Sequence, residues 1–286
     1  MEKFIDLHVH SNCSDGTYSP TELVRYAKEK GLSAFALTDH DTTEGIAEAL
    51  SAAREYDMEL IPGIELSTNY EGRDIHMLGL GIDTNNMDFQ KKLLAFQDSR
   101  DIRNQKIIER LREYGIDISH EKMLKEFRDG VWTRAHFGRY LLDHGYVKDM
   151  NDAFNKYIGD KAPCFVPREK VTPFQAVSLI HEGGGYAVLA HPLLYHFKSG
   201  GLEKLVNQLC EFGLDGLEAI YSTNRFSDDS NMKLLAKRHS LKITGGSDFH
   251  GSNKPFIDLG SGRGNLKIPY ELWLLLTQDP PHWTTE

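Results

Sequence analysis

Cysteine is scarce: Cys13, Cys164 and Cys210 are the three in 286 residues, an odd number at distant, irregular spacings. That excludes a disulfide framework and a CxxC-type zinc site. Basic charge is also short, with 33 Lys and Arg against 42 Asp and Glu and a formal net charge of −9. A broad, sequence-independent grip on a long nucleic acid is therefore not expected, and any phosphate binding has to be local. No run approaches the roughly 20 apolar residues of a membrane span, and the start MEKFIDLHVHS lacks an apolar stretch of signal-peptide length. These absences point to a cytoplasmic protein with no membrane contact. No repeat or low-complexity segment is visible either. What is plentiful is histidine, 13 residues that cluster in short acidic contexts.

The apolar pattern alternates strand and helix. FIDLHV reads as a strand, and SPTELVRYAKEKG as a helix with Ser19 as cap, Pro20 in the first turn and Gly31 past the end. AFAL, the helix TEGIAEALSAAREYD, and the strands ELIPGIEL and IHMLGLGI follow. From 85 to 160 the pattern becomes charged and helical throughout, with no convincing strand. After 161 the rhythm returns with the strands YAVL, GLEAIY and ITGG and helices between them. The expectation is an α/β fold with a largely parallel sheet or barrel formed by 1–84 and 161–286, interrupted by a helical insertion at 85–160. The tail DPPHWTTE suggests no chemistry.

Histidines and carboxylates fall at the predicted strand ends. His8 and His10 are two apart on one strand, so both imidazoles share a face and can chelate one ion. Asp15 follows in the loop SNCSDGT. His40 ends the second strand in TDHD, Glu65 lies in GIELS, His76 opens IHMLGLG, His191 ends YAVLAHP, and Asp248 and His250 close ITGGSDFHG. A barrel rim would bring these together, whereas nine independent buried polar groups would need nine separate explanations. The donors are nitrogen and oxygen, which suits Mn2+, Fe2+ or Zn2+. Cys13 is set aside as a thiolate ligand.

The ordered series DLHVHS, SDG, TDHD, GIELS, HMLGLG, AHP and GSDFHG resembles the PHP (polymerase and histidinol phosphatase) superfamily of metal-dependent phosphoesterases, over about Phe4 to Gly264. The resemblance implies a distorted (β/α)7 barrel with three divalent ions, Mn2+ foremost, at the strand C-terminal ends. It would place His8, His10, Glu65 and Asp248 on one ion, Asp15, His40 and His250 on a second, and Glu65, His76 and His191 on the third. A metal-bridging hydroxide would be the nucleophile, with no protein nucleophile. Three divalent ions against three carboxylates leave a positive centre in an acidic protein. Asp6 and Asp39 are expected to accept from the outer nitrogens of ligand imidazoles, Glu218 is left between that role and a structural one, and Asp41 is expected to cap the following helix.

Within the insertion, Arg100 and Arg103 lie three apart on one helical face with Asn104 beside them, and Thr133, Arg134 and His136 open a further helix. SRDIRNQ, TRAHFGRYLLDHG and APCFVPRE resemble the PHP branch of nucleoside 3′,5′-bisphosphate phosphatases and enzymes that trim short RNAs from the 5′ end. That resemblance implies that Arg100, Arg103, Asn104, Thr133, Arg134 and His136 grip the phosphate that is not cleaved. Arg168 is set aside as a surface residue. The expected activity removes the 3′-phosphate of a nucleoside 3′,5′-bisphosphate. The alternatives are 5′-to-3′ exonuclease action on short 5′-phosphorylated RNA, a histidinol phosphatase, whose single phosphate would leave the arginine pair unexplained, and a non-catalytic metal-binding module. No protein partner is implied.

Overall fold

The computed structural model describes residues 2–127, 131–167 and 171–278, so Arg168 and the tail DPPHWTTE lie outside the described residues. The first half comprises β1 (Phe4–Val9), α1 (Pro20–Glu29), β2 (Ala34–Leu37), α2 (Glu44–Glu55), β3 (Glu59–Tyr70) and β4 (Arg73–Leu80). The helical segment holds α3 (Met87–Glu113), α4 (His120–Glu126), α5 (Arg134–Asp143) and α6 (Met150–Ala153), which runs on as a π-helical turn to Ile158. The remainder is α7 (Pro173–Glu182), β5 (Tyr186–Leu189), α8 (Gly201–Glu211), β6 (Gly216–Tyr221), α9 (Asp228–Arg238), β7 (Lys242–Gly246), β8 (Ile268–Pro269) and α10 (Glu271–Thr277).

The sheet runs β7-β6-β5-β4-β3-β2-β1-β8 and nearly closes on itself. Past the end of β7, Val9 and Phe249 form a parallel bridge, Asp248 N–H donates to the His8 carbonyl at 2.9 Å, and His10 N–H donates to the Phe249 carbonyl at 3.0 Å. The barrel is less parallel than the sequence reading expected, because β4 is antiparallel to both β3 and β5. The reason is chain length: two residues, Glu71 and Gly72, join β3 to β4, and a parallel crossover needs a dozen or more. Both have positive φ (50° and 77°), the geometry of a tight hairpin whose twist matches its strands.

Alternation along the strands separates two apolar layers. Ile5, Leu7, Ala34, Ala36, Ile61, Leu78, Leu80 and Val188 pack with Leu272 and Leu276 of α10, which stops the end where the parallel strands begin. Phe35 and Leu37 pack with Leu23, Val24, Ile46 and Ala49 of α1 and α2, while Met77, Leu189 and Leu217 pack with Val177, Ile180, Leu205 and Leu235 of α7 to α9. Polar side chains are thereby concentrated at the opposite end. The helical segment has its own core, from Ile107 to Val166, and the first turns of α3 (Phe89, Leu93, Phe96) join the barrel's outer layer. Compared with limits of 85 and 160, the insertion core begins later and takes in Cys164 and Val166.

One close approach ties the fold to its polar end. A Cβ on Gly246 would lie 2.2 Å from His8 Cβ and 2.8 Å from His8 N, so β7 can reach β1 only without a side chain there. We expect Gly246→Ala to lower the unfolding free energy by roughly 1–3 kcal/mol through forced displacement of β1. Urea unfolding checks this; an unchanged midpoint would show that β1 has slack.

Candidate metal centre

Each of the nine expected donors is brought to this polar end, in overlapping groups whose donor atoms lie within 4.8 Å of one another: His10, Asp15, His40 and His250; His8, Glu65 and His191; His8, His10 and Asp248; His40, Glu65 and His76. The partition differs from the one the resemblance implies, because His10 joins the Asp15 group and His40 also reaches Glu65. β1 delivers His8 and, just past its end, His10. His40 follows β2 and bridges Glu65 of β3 in the sheet. Glu65 pairs with Leu78 across the hairpin, and His76, two residues earlier on β4, lies on the same face.

The distances are those of a site built for cations. Glu65 Oε2 lies 3.3 Å from His8 Nε2 and 3.2 Å from both His10 Nε2 and His40 Nδ1, and Oε1 lies 3.0 Å from His76 Nδ1 and His191 Nε2. His250 Nε2 is 3.1 Å from Asp15 Oδ1. The Nε2 atoms of His8 and His10 approach to 3.1 Å, a pairing of like groups. Asp15 Oδ1, Glu65 Oε2, His10 Nδ1 and His191 Nδ1 are buried with no directed hydrogen bond among the described residues. Buried lone pairs without donors are costly. This all nitrogen and oxygen donor set fits divalent ions.

Charge states follow from burial and neighbours. Burial opposes ionisation of Asp15, Glu65 and Asp248, yet the surrounding histidines, with Lys254 beside Asp248, hold all three well below the usual carboxylate range. Burial keeps His40 and His250 below the usual imidazole value, leaving them neutral. His8, although desolvated, is held well above it by Glu218, Glu65 and Asp248, and His10 is pushed up to about 9 by Asp248 and Glu65 against its own burial. Protons on His8 and His10 would therefore supply positive charge beside these carboxylates in metal-free protein.

Backbone strain marks the same loops. His191, Asp248 and Asp41 have φ of 27°, 57° and 51°. Such conformations cost about 1–3 kcal/mol each and persist where the surroundings over-determine them. His191 N–H donates to Glu218 Oε2 at 2.7 Å and holds one of them.

The supporting carboxylates divide differently from expectation. The partner of a ligand imidazole is Glu218, whose Oε1 accepts from His8 Nδ1 at 3.0 Å. Asp6 instead accepts from the backbone N–H groups of His8, Ser247 and Gly260, and Asp39 from Ser11 and Ser14. Both clamp the chain that carries the ligands rather than the rings. Asp41 does not cap α2, whose N-cap Thr43 makes no side-chain capping bond to the helix; Asp41 Oδ2 accepts from Arg100. Sequence reasoning missed Tyr221 and Lys254, which donate to Asp248 Oδ2 at 2.5 and 2.6 Å. Lys254, four residues after His250 in GSDFHGSNK, carried a positional signal; Tyr221, ending GLEAIY, carried a weaker one.

The six insertion residues do not converge as one clamp. Asp15, His40, His76 and His250 share a cavity of about 320 Å3 with Arg100, Arg103, Thr133, Arg134 and Lys254. Arg103 donates to Asn104 Oδ1 at 3.0 Å, and Asn104 Nδ2 to the Trp132 carbonyl at 3.0 Å. Arg134 pairs with Asp74 and Asp160 at 2.9 and 2.7 Å. Thr133 Oγ1 donates to Asp15 Oδ2 at 2.7 Å. His136, held neutral at about 4 by burial, accepts from Thr133 N–H through Nδ1 and closes the start of α5. The α5 N-terminus is therefore capped from within rather than offered to an anion. Cys13 belongs to none of the ligand groups, and burial and Asp39 push its thiol up.

The PHP domain family model matches residues 6–162. Similar proteins include a 5′-3′ exoribonuclease of Haemophilus influenzae, 39% identical over 87% of this chain and 91% of that one. A 3′,5′-nucleoside bisphosphate phosphatase of Chromobacterium violaceum is 34% identical over 94% and 95%. A solved structure from Bifidobacterium adolescentis, assigned by its description to the metal-dependent phosphoesterases, superposes with a TM-score of 0.85 at 28% identity and covers 96% and 95% of the two chains.

Protonated His10 links the centre to stability. Its folded pKa lies above the unfolded value, so in metal-free protein its contribution is complete below about 6.5 and is lost as pH rises through about 9. The full shift is worth on the order of 3 kcal/mol. We expect protein stripped by chelator to lose thermal stability between pH 6.5 and 9.5 and to regain it at pH 9.5 when Mn2+ is added. A metal-free melting temperature that is flat over this window would show that protons do not fill the cation role.

Proposed function

Because this chain belongs to the PHP domain family and is a metal-dependent phosphoesterase, we propose that it removes the 3′-phosphate of nucleoside 3′,5′-bisphosphates, releasing nucleoside 5′-monophosphate and phosphate. The observation that carries this reading is the shared cavity: donors of the metal centre and Arg103 and Arg134 of the insertion line one volume of about 320 Å3. That is the scale of a site for a single small ligand. A substrate with two phosphates can place one at the centre and one at the insertion. A monophosphate uses half of it.

Residues 1–84 and 161–286 would supply the centre and 85–160 the distal phosphate site. Three divalent ions, Mn2+ first among Mn2+, Fe2+ and Zn2+, would be held by His8, His10, Asp15, His40, Glu65, His76, His191, Asp248 and His250. When bound, the ions supply water activation at neutral pH and charge neutralisation at phosphorus. The chain's own residues do the rest. Ionised Asp15, Glu65 and Asp248 and neutral His40 and His250 present lone pairs at the site without prior proton loss. Lys254, held on Asp248 Oδ2, keeps a cation at the cavity wall beside the cleaved phosphate. Arg103 orients the distal phosphate, with Asn104 fixing its guanidinium. Orientation is a large share of catalysis when chemistry is mainly positioning.

The name of the Haemophilus relative supports a second reading, 5′-to-3′ exonuclease action on short 5′-phosphorylated RNA. Arg103 would then hold the terminal 5′-phosphate and the first phosphodiester would lie at the centre. Small phosphorylated molecules are the partners in both readings, and the acidic composition speaks against affinity for long polymers.

Phosphate release by Mn2+-loaded protein from adenosine 3′,5′-bisphosphate, 3′-AMP and 5′-AMP, set beside release of nucleoside 5′-monophosphate from a 5′-phosphorylated trinucleotide, separates them. We expect rapid release from the bisphosphate, little from either monophosphate, and a loss in kcat/KM of about 10- to 100-fold in Arg103→Ala, the equivalent of one charged hydrogen bond. Cleavage of the trinucleotide alone would replace the phosphatase reading by the exonuclease one; no turnover of any substrate by metal-loaded protein would refute both.

A further inference from the structure

We propose that Arg100 is a positioning residue that fixes Asp15 and His40 together at one metal position, and that it takes no part in gripping substrate. The proposal rests on the reading of the centre as a divalent-metal site and is independent of which phosphoester is cleaved. Arg100 projects from α3 of the insertion and is 2% exposed. Its guanidinium has three partners.

Towards β2 and β3, Nε donates to Asp41 Oδ2 at 2.7 Å and Nη2 donates to the same oxygen. Asp41 directly follows His40, in the left-handed conformation, and its Oδ1 accepts from Ser67 N–H at 2.9 Å. Nη2 also donates to Ser67 Oγ at 2.7 Å, and that oxygen lies 3.4 Å from His40 Nδ1. The backbone after His40 and the edge of its ring are thus both held by one side chain. Towards the insertion, Nη1 donates to the Trp132 carbonyl at 3.3 Å. The next residue, Thr133, donates its hydroxyl to Asp15 Oδ2.

Asp15 and His40 belong to one ligand group with His10 and His250. One guanidinium therefore joins two ligands that are 25 positions apart in sequence and lie on separate loops. A phosphate could replace the Nε and Nη2 contacts of this guanidinium only by displacing the buried Asp41 carboxylate and Ser67 Oγ. Lysine, a point charge without the planar fork, cannot make the same three contacts.

Mn2+ titration calorimetry and bound-metal analysis on the full chain test this, with Arg100→Gln, Arg100→Lys, Ser67→Ala and Arg103→Ala. We expect Arg100→Gln to weaken one class of Mn2+ site by about 10- to 100-fold, the usual effect of removing an outer partner of a metal ligand. Arg100→Lys should recover part of that loss and lower kcat while KM for the bisphosphate changes by less than about two-fold. Ser67→Ala keeps the Arg100–Asp41 pair and should weaken the same class, which settles the matter if Arg100→Gln does not fold. Arg103→Ala should leave Mn2+ affinity unchanged. Wild-type Mn2+ affinity in both Ser67→Ala and Arg100→Lys, with KM raised in Arg100→Lys, would overturn the proposal and return Arg100 to the substrate. Because the titration needs no substrate, it stands even if none of the phosphoesters is hydrolysed.

Discussion

Glu65 is wholly buried on β3, and imidazoles of His8, His10, His40, His76 and His191 stand 3.0 to 3.3 Å from its two oxygens. A buried carboxylate is tolerable only when its charge is compensated. Five imidazoles cannot all be cations around one anion, and burial keeps His40 neutral. Protons on His8 and His10 can compensate the carboxylate, yet the lone pair of neutral His40 beside the same oxygen still requires a partner. That requirement organises the polar end of the barrel: five rings from four strands converge because divalent ions would satisfy Glu65 and the rings at once.

Convergence makes demands on the backbone, and the fold meets them locally. Strand β7 must approach β1 at Gly246, where no side chain fits, before Asp248 turns back through a left-handed conformation to face His8 and His10. Asp6, held on β1, accepts from Ser247 and Gly260, and Asp39, past β2, accepts from Ser11 and Ser14. These carboxylates serve chain geometry, and the ligands inherit their positions from it. The opposite end of the barrel, stopped by Leu272 and Leu276, carries no such burden and packs with aliphatic side chains.

The candidate metal donors were legible in the sequence because their signal is local. His8 and His10 share a strand face by the two-residue period, and His40, His191 and Asp248 each end or follow an apolar run. The strand and helix segments were legible for the same reason, as the capping box of Ser19 and Glu22 illustrates. What was lost depends on partners far apart in the chain. Asp41 looked like a cap for the helix that follows it, yet its carboxylate faces Arg100, 59 residues on. Glu218 is 210 residues from the imidazole it supports. The antiparallel β3–β4 pair was in principle readable from the eight residues, Ser67 to Asp74, left between the two apolar runs, too few for a parallel crossover. The strand-helix rhythm on either side masked it.

An acidic chain that handles phosphate must create its attraction locally, and the charges around the cavity show where that attraction comes from. Arg100 is matched by Asp41, Arg134 by Asp74 and Asp160, and Lys254 by Asp248. These cations order the walls, but their charge is largely compensated before any ligand arrives. Arg103, bonded to the neutral Asn104, adds to the cavity's positive charge, and the rest depends on how fully bound metal would overcompensate Asp15, Glu65 and Asp248 at the centre. Affinity for an anionic substrate and affinity for the ions become two sides of one coupling, each raising the other by the same factor. The paired arginines follow from that arrangement: a cavity that already carried bare positive charge would hold anions without metal and gain no selectivity for the loaded enzyme.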